Sequence, residues 1–128
     1  MRVILDTHAL LWATLSPSSL SSRASQIIAD ESNVILVSAA SAWEIATKVR
    51  IGKLPGAEAL EKEFLDVMED AGYTLLDLDV ACALRAGRLV GDHHDPFDRM
   101  IAAHALAEDI PVLSADPKLD TFGIRRLW

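Results

Sequence analysis

The sequence predicts an α/β fold, a three-layer α/β/α sandwich around a parallel sheet of four to five strands. Three observations carry the prediction. Short apolar runs of strand length alternate with longer segments of helical periodicity along the whole chain. Hydrophobic residues make up 51% of 128 residues, enough for a packed core in one domain spanning residues 1–128. No internal repeat, low-complexity tract or linker interrupts the alternation. Strand following helix following strand implies a parallel sheet covered on both faces. Right-handed crossovers then produce the sandwich, and ligands of such sheets bind beyond the carboxyl ends of the strands.

The elements follow in order. Residues 2–5 read as a buried strand, and a helix runs from Thr7 to about Leu15, punctuated by Ser16-Pro17-Ser18. A second helix spans about 22–30, with Ser21 or Ser22 as its cap. Residues 34–37, all β-branched or aliphatic, form a second strand. The third helix covers 39–50 and is broken by Gly52. After Leu54-Pro55-Gly56, a fourth helix is expected over 57–70, burying Leu60, Phe64, Val67 and Met68. Residues 73–76 form a third strand and 80–89 a helix. Beyond the polar loop Gly91-Asp92-His93-His94, a helix over 96–107 starts sharply, with Asp95 as N-cap and Pro96 in its first turn. Residues 111–113 are a fourth strand, and 124–127 a short edge strand.

Charge and cysteine usage restrict the function. The net charge of -7 argues against broad, nonspecific nucleic-acid binding, unless the carboxylates are consumed by metal ions. The single cysteine, Cys82, lies in an apolar stretch and reads as a small buried hydrophobe. No signal segment and no apolar run of ~20 residues is visible, so a cytoplasmic protein with no membrane partner is expected.

Four acids stand out by position. Asp6 and Asp116 follow the carboxyl ends of the first and fourth strands. Glu44 lies inside an otherwise apolar helical segment, and Asp98 in the first turn of the helix beginning at Pro96. Each has an ordinary explanation. Asp6 can cap a helix, Glu44 can pair with Lys48 on a wet face, Asp98 can complement a helix dipole, and Asp116 can serve a turn before Pro117. As a set they point elsewhere. Converging carboxylates raise one another's pKa values, and a divalent cation removes that cost. Hard oxygen donors suit Mg²⁺ or Mn²⁺, one or two ions, and not zinc, which calls for histidine and cysteine clusters. Asp95 reads first as a cap and second as a further metal-site acid. His93 and His94 read as loop residues at the rim of the site, and His8 as either near Asp6 or facing the sheet.

These residues carry a family resemblance. Leu5-Asp6-Thr7-His8-Ala9-Leu10-Leu11-Trp12 resembles the opening of PIN-domain toxins of the VapC type. Residues 41–48, Ser-Ala-Trp-Glu-Ile-Ala-Thr-Lys, resemble that family's second acidic motif; 94–105 resemble its third, and Leu113-Ser114-Ala115-Asp116 its fourth. Ser114 stands where threonine is commoner, and the hydroxyl is retained. The resemblance implies a PIN-like sandwich and Mg²⁺- or Mn²⁺-dependent RNA cleavage by a metal-activated water. It implies Asp6, Glu44, Asp98 and Asp116 as metal-site acids, and Ser114 orienting Asp116 or a water, with Thr7 and Asp95 in support. It also implies a cognate VapB-type antitoxin and a toxin homodimer.

Candidate RNA-contacting cations are Lys48, Arg50 and Lys53 in one patch and Arg85, Arg88 and Arg99 in another. Trp12, with Leu11 and Leu15, reads as core packing or as part of a partner groove. Two other classes are weaker. A receiver-type phosphotransfer domain wants an acidic pair after the first strand and a phosphoacceptor after a central one, where this chain has Thr7-His8 and Ser38-Ala39-Ala40. A catalytically silent binding module conflicts with the retention of all four acids.

Overall fold

A computed structural model describes residues 1–128. Five strands form one parallel sheet: β1 (Arg2–Leu5), β2 (Val34–Ser38), β3 (Thr74–Leu76), β4 (Val112–Leu113) and β5 (Arg126–Leu127), in the order β3-β2-β1-β4-β5. The helices are α1 (Thr7–Leu15), α2 (Ser22–Ala29), α3 (Ala39–Arg50), α4 (Glu58–Lys62), α5 (Phe64–Ala71), α6 (Val80–Arg88) and α7 (Pro96–Glu108). Two 3₁₀ turns, Pro17–Ser19 and Pro117–Phe122, complete the chain.

Alternation along the strands divides the core. Val3 and Leu5 of β1, Ile35 and Val37 of β2, and Leu113 of β4 face one layer, with Leu10, Ile27, Leu60 and Met68. Ile4, Leu36 and Val112 face the other, against Ile101, Ala102 and Ala105 of α7. This is the expected sandwich. No helix is long and apolar enough to cross a membrane. Cys82 is buried and unpaired by any disulfide, and burial pushes its thiol pKa up.

One element differs from expectation. The single helix expected over 57–70 is two helices, kinked at Glu63. Hydrogen bonds still cross the kink, from Glu63 N to Ala59 O and from Val67 N to Glu63 O. Both halves reach the same cluster, through Leu60 and Met68. Core packing therefore selects the bend rather than a breaker residue. Trp12 is the other departure. Leu11 is core, but Trp12 is only half-buried, tilted against His8 and Trp128 at centroid distances of 5.7 and 5.6 Å.

A buried polar link ties α7 to the ends of the neighbouring strands β2 and β3. Ser38 Oγ accepts from Ala40 N at 3.0 Å, capping α3. It also lies 3.0 Å from His104 Nδ1, and His104 Nε2 donates to the Asp77 carbonyl at 3.0 Å. A carbonyl can only accept, which places the proton on Nε2 and leaves Nδ1 to take the Ser38 hydroxyl. His104 is thus a satisfied core residue.

The order of the strands fixes where a site can form. From β1 the chain moves outward to β2 and β3, then returns to the other side of β1 as β4. The carboxyl ends of β1 and β4 are adjacent at this reversal, Leu5 pairing with Leu113.

Candidate metal centre at the carboxyl edge of the sheet

Asp6 is the first residue beyond β1 and the N-cap of α1. Its Oδ1 accepts from Ala9 N at 2.7 Å, and its Oδ2 accepts the Ser114 hydroxyl. The capping role and the site position thus coexist in one carboxylate. Asp6 is 3% exposed, and burial pushes its pKa up against the lowering effect of these two hydrogen bonds.

Ser114, the residue after β4, contacts Asp116 as expected and also reaches Asp6. Its hydroxyl donates to Asp6, and its oxygen accepts the Asp116 backbone N–H at 3.0 Å. It orients the first acid by its side chain and the fourth by the main chain. Asp116 Oδ1 accepts from Lys118 N at 2.9 Å, so the turn-capping reading of Asp116 also holds. We expect Ser114→Ala to weaken divalent-cation binding by roughly 10–100-fold with little change in secondary structure, the usual cost of losing a group that orients a ligand. Titration calorimetry with Mn²⁺ and circular dichroism on one preparation check this; unchanged affinity refutes it.

Helix α3 stands at the top of the sheet, packed against α1, α4 and α7. It buries Glu44 to 4% exposure, on the inner and not the wet side. Glu44 Oε2 pairs with Lys48 one turn on, while Oε1 is buried without any hydrogen-bond partner. Burial works against the Lys48 ammonium, but Glu44, Asp95 and Asp98 hold its pKa above the ordinary value. Lys48 is therefore engaged inside the site, away from the RNA patch expected with Arg50 and Lys53.

Asp95 caps α7, its Oδ1 accepting from Phe97 N at 2.9 Å and Asp98 N at 3.1 Å. The cap turns Asp98 toward the same edge. Asp98 has a pKa pushed up to about 6, first by burial and then by the negative charges of Asp95, Glu44 and Asp6, with His93 pulling it down. The structure thus brings Asp6, Glu44, Asp95, Asp98 and Asp116 into one acidic neighbourhood. Thr7 Oγ1 lies 3.0 Å from Ser41 Oγ in the buried wall behind it; the sequence marked Ser41 only as the start of the motif around Glu44.

Sequence reasoning undervalued two residues. His93 is no bystander at the rim, since its Nε2 lies 2.9 Å from Asp98 Oδ2. One ligand atom each from His93, Asp98 and Asp116 fall within 4.8 Å of one another. Arg99, expected among the RNA-facing cations, is turned inward. It donates to the carbonyls of Ala86 at 3.0 Å, His93 at 2.9 Å and Leu89, and its guanidinium lies 5.4 Å from the Phe122 ring centroid. Arg85 and Arg88 remain exposed on α6, as do Arg50 and Lys53 around the end of α3.

The donor set fits a hard divalent cation. It is dominated by carboxylate oxygens, one of them buried and unpartnered, and one carboxyl has its pKa raised by burial and then by its neighbours' charge. The class this defines is an α/β/α sandwich with an acidic, cation-ready cluster at the topological switch of its sheet. The chain matches the PIN domain family over residues 3–124 and belongs to that family. It is 47% identical over 55 residues to Ribonuclease VapC16 of Mycobacterium tuberculosis, a stretch covering 43% of this chain and 39% of that protein, well under two thirds of the relative's length.

The fold is similar to VapBC2 from Rickettsia felis, solved bound to a promoter DNA fragment (TM-score 0.68, 17% identity, 99% of this chain and 98% of that one). It is also similar to FitAcB from Neisseria gonorrhoeae (0.63, 15%, 98% and 96%) and to VapBC-1 from nontypeable Haemophilus influenzae (0.60, 18%, 99% and 97%). At these identities the likeness is one of fold.

Proposed function

We propose that this protein is a metal-dependent endoribonuclease, the toxin of a toxin–antitoxin pair, that hydrolyses RNA phosphodiesters. The observation carrying this reading is the gathering of Asp6, Glu44, Asp98 and Asp116 at one sheet edge, with a buried carboxylate oxygen of Glu44 unpartnered. The name of the partly matching relative, a ribonuclease, supports RNA as the substrate class.

Asp6 and Asp98 would hold the principal Mg²⁺ or Mn²⁺, with Glu44 and Asp116 completing one or two sites directly or through water. Once bound, such an ion supplies a water of lowered pKa and positive charge for the phosphate oxygens. The chain's own residues do the rest. Ser114 fixes the Asp6 carboxylate, and Lys48 fixes Glu44 while balancing part of the local charge. Asp95 holds the first turn of α7 so that Asp98 faces the site. The exposed cations Arg50, Lys53, Arg85 and Arg88 are free to meet RNA phosphates; Arg99 is not.

A VapB-type antitoxin, a toxin homodimer and a cytoplasmic location belong to the same proposal. The similar solved structures support the first, being VapBC and FitAB assemblies. The test is cleavage of end-labelled RNA by purified protein, with Mg²⁺, with EDTA, and with Asp6→Asn. Cleavage should require the ion and be lost in the variant. Undiminished cleavage in EDTA, or by Asp6→Asn, would sink the reading. Copurification of the neighbouring reading frame's product on coexpression tests the partner.

A further inference from the structure

We propose that His93 is a direct ligand of the metal, and that its imidazole makes the centre prefer Mn²⁺ to Mg²⁺. This rests on the metal-dependent reading above and adds a nitrogen donor to a set otherwise made of oxygens.

The position of His93 is suited to the task. Its Nε2 lies 2.9 Å from Asp98 Oδ2, and Asp116 offers an oxygen within the same 4.8 Å cluster. Neighbouring ligands on an octahedral ion with bonds near 2.1 Å stand about 3 Å apart. The His93–Asp98 separation therefore accommodates an ion bound to both without moving either residue far. A loop histidine normally costs ordering entropy on binding. Here the loop is held beforehand. The His93 carbonyl accepts from Arg99 Nη1 at 2.9 Å, and its ring stacks on Phe122, 5.9 Å between centroids at an interplanar angle of 12°. Arg99 lies over that same Phe122 ring.

A second observation points to a cation independently of this trio. Glu44 is nine-tenths buried, its Oε1 has no partner, and its charge acts on Asp98. A buried carboxylate oxygen left bare is costly, and positive charge beside Asp98 relieves it. The ligand set is then carboxylate and imidazole together. Mg²⁺ takes oxygen donors almost alone and keeps its waters. First-row transition ions gain from a nitrogen donor, increasingly along Mn²⁺, Fe²⁺ and Co²⁺. His94, next in sequence, is exposed and serves as the control.

The experiment loads the full-length protein with Mn²⁺ and records electron spin-echo envelope modulation, which detects a nitrogen bonded to the ion. Nitrogen modulation should be present in the unmodified protein, persist in His8→Gln and His94→Gln, and vanish in His93→Gln. Mn²⁺ and Mg²⁺ affinities, by titration calorimetry, form the second arm. His93→Gln should weaken Mn²⁺ on the order of tenfold or more and Mg²⁺ far less. Metal-free melting curves establish that the variants fold; should His93→Gln not fold, the unmodified protein and the other two variants still assign the nitrogen by elimination, because the fourth histidine, His104, is buried with both ring nitrogens engaged by Ser38 and Asp77. Bound Mn²⁺ without nitrogen modulation overturns the inference and leaves the nuclease reading standing. Equal weakening of both ions also overturns it. Failure to bind either ion overturns both.

Discussion

Asp98→Asn should abolish RNA cleavage, by at least about 10³-fold, while raising the melting temperature of the metal-free protein at pH 7. On the proposed reading Asp98 holds the ion, so losing its carboxylate would remove several kcal/mol of charge stabilisation, and each 1.4 kcal/mol is about tenfold in rate. The gain in stability has the opposite origin. The folded Asp98 has a pKa near 6, above the ordinary 3.8, because burial and the charges of Asp95, Glu44 and Asp6 oppose its ionisation. The folded state therefore binds this proton more tightly than the unfolded chain does. Its stabilising contribution is fully present below pH 3.8 and is lost as pH rises through about 6. Above that, ionised Asp98 strains the metal-free fold, and asparagine removes the strain. An increase of about 3 °C at pH 7 in EDTA is expected, shrinking toward pH 4. Mg²⁺ or Mn²⁺ should raise the melting temperature of the unmodified protein and do much less for the variant. A variant that melts lower than the unmodified protein in EDTA at pH 7, or that cleaves normally, contradicts the assignment.

Arg99→Lys should be nearly as damaging to stability as Arg99→Leu. The guanidinium serves three carbonyls, of Ala86, Leu89 and His93, which belong to the end of α6 and the loop before α7. A planar fork with several donors can span them; an ammonium on a flexible stem cannot. With partly buried carbonyls left unsatisfied and the Phe122 contact gone, about 3 kcal/mol and about 10 °C of melting temperature are expected to be lost. Hydrogen exchange should quicken first across residues 89–95, and metal affinity should fall because His93 is no longer held. A lysine variant melting within a degree or two of the unmodified protein refutes the clamp.

Much of this architecture was legible in the chain. The apolar runs at β1, β2 and β4 marked the strands because parallel strands are buried on both faces. Asp6, Ser21 and Asp95 marked helix starts because short polar side chains satisfy free N–H groups there. The four acids could be singled out because two follow the ends of apolar strands and two lie in helices beside apolar runs. What could not be read depends on contacts between distant segments. Nothing local reveals that Arg99 turns inward or that Ser114 reaches Asp6, and nothing near Glu63 signals a kink set by packing of Leu60 and Met68. His93 looked like any polar loop residue, because Phe122, which orients its ring, arrives from the far end of the chain.

The hydrogen bond from Ser114 to Asp6 joins residues 108 positions apart. Its two anchors directly follow the neighbouring strands β1 and β4, but β4 contributes only Val112 and Leu113 to the sheet and β5 only two residues more. On the proposed reading, cleavage would depend on the last and shortest pieces of the sheet. Detachment of that short segment would scatter the acidic cluster while the helices stayed formed, so loss of RNA cleavage on heating or in mild denaturant should precede loss of helical signal.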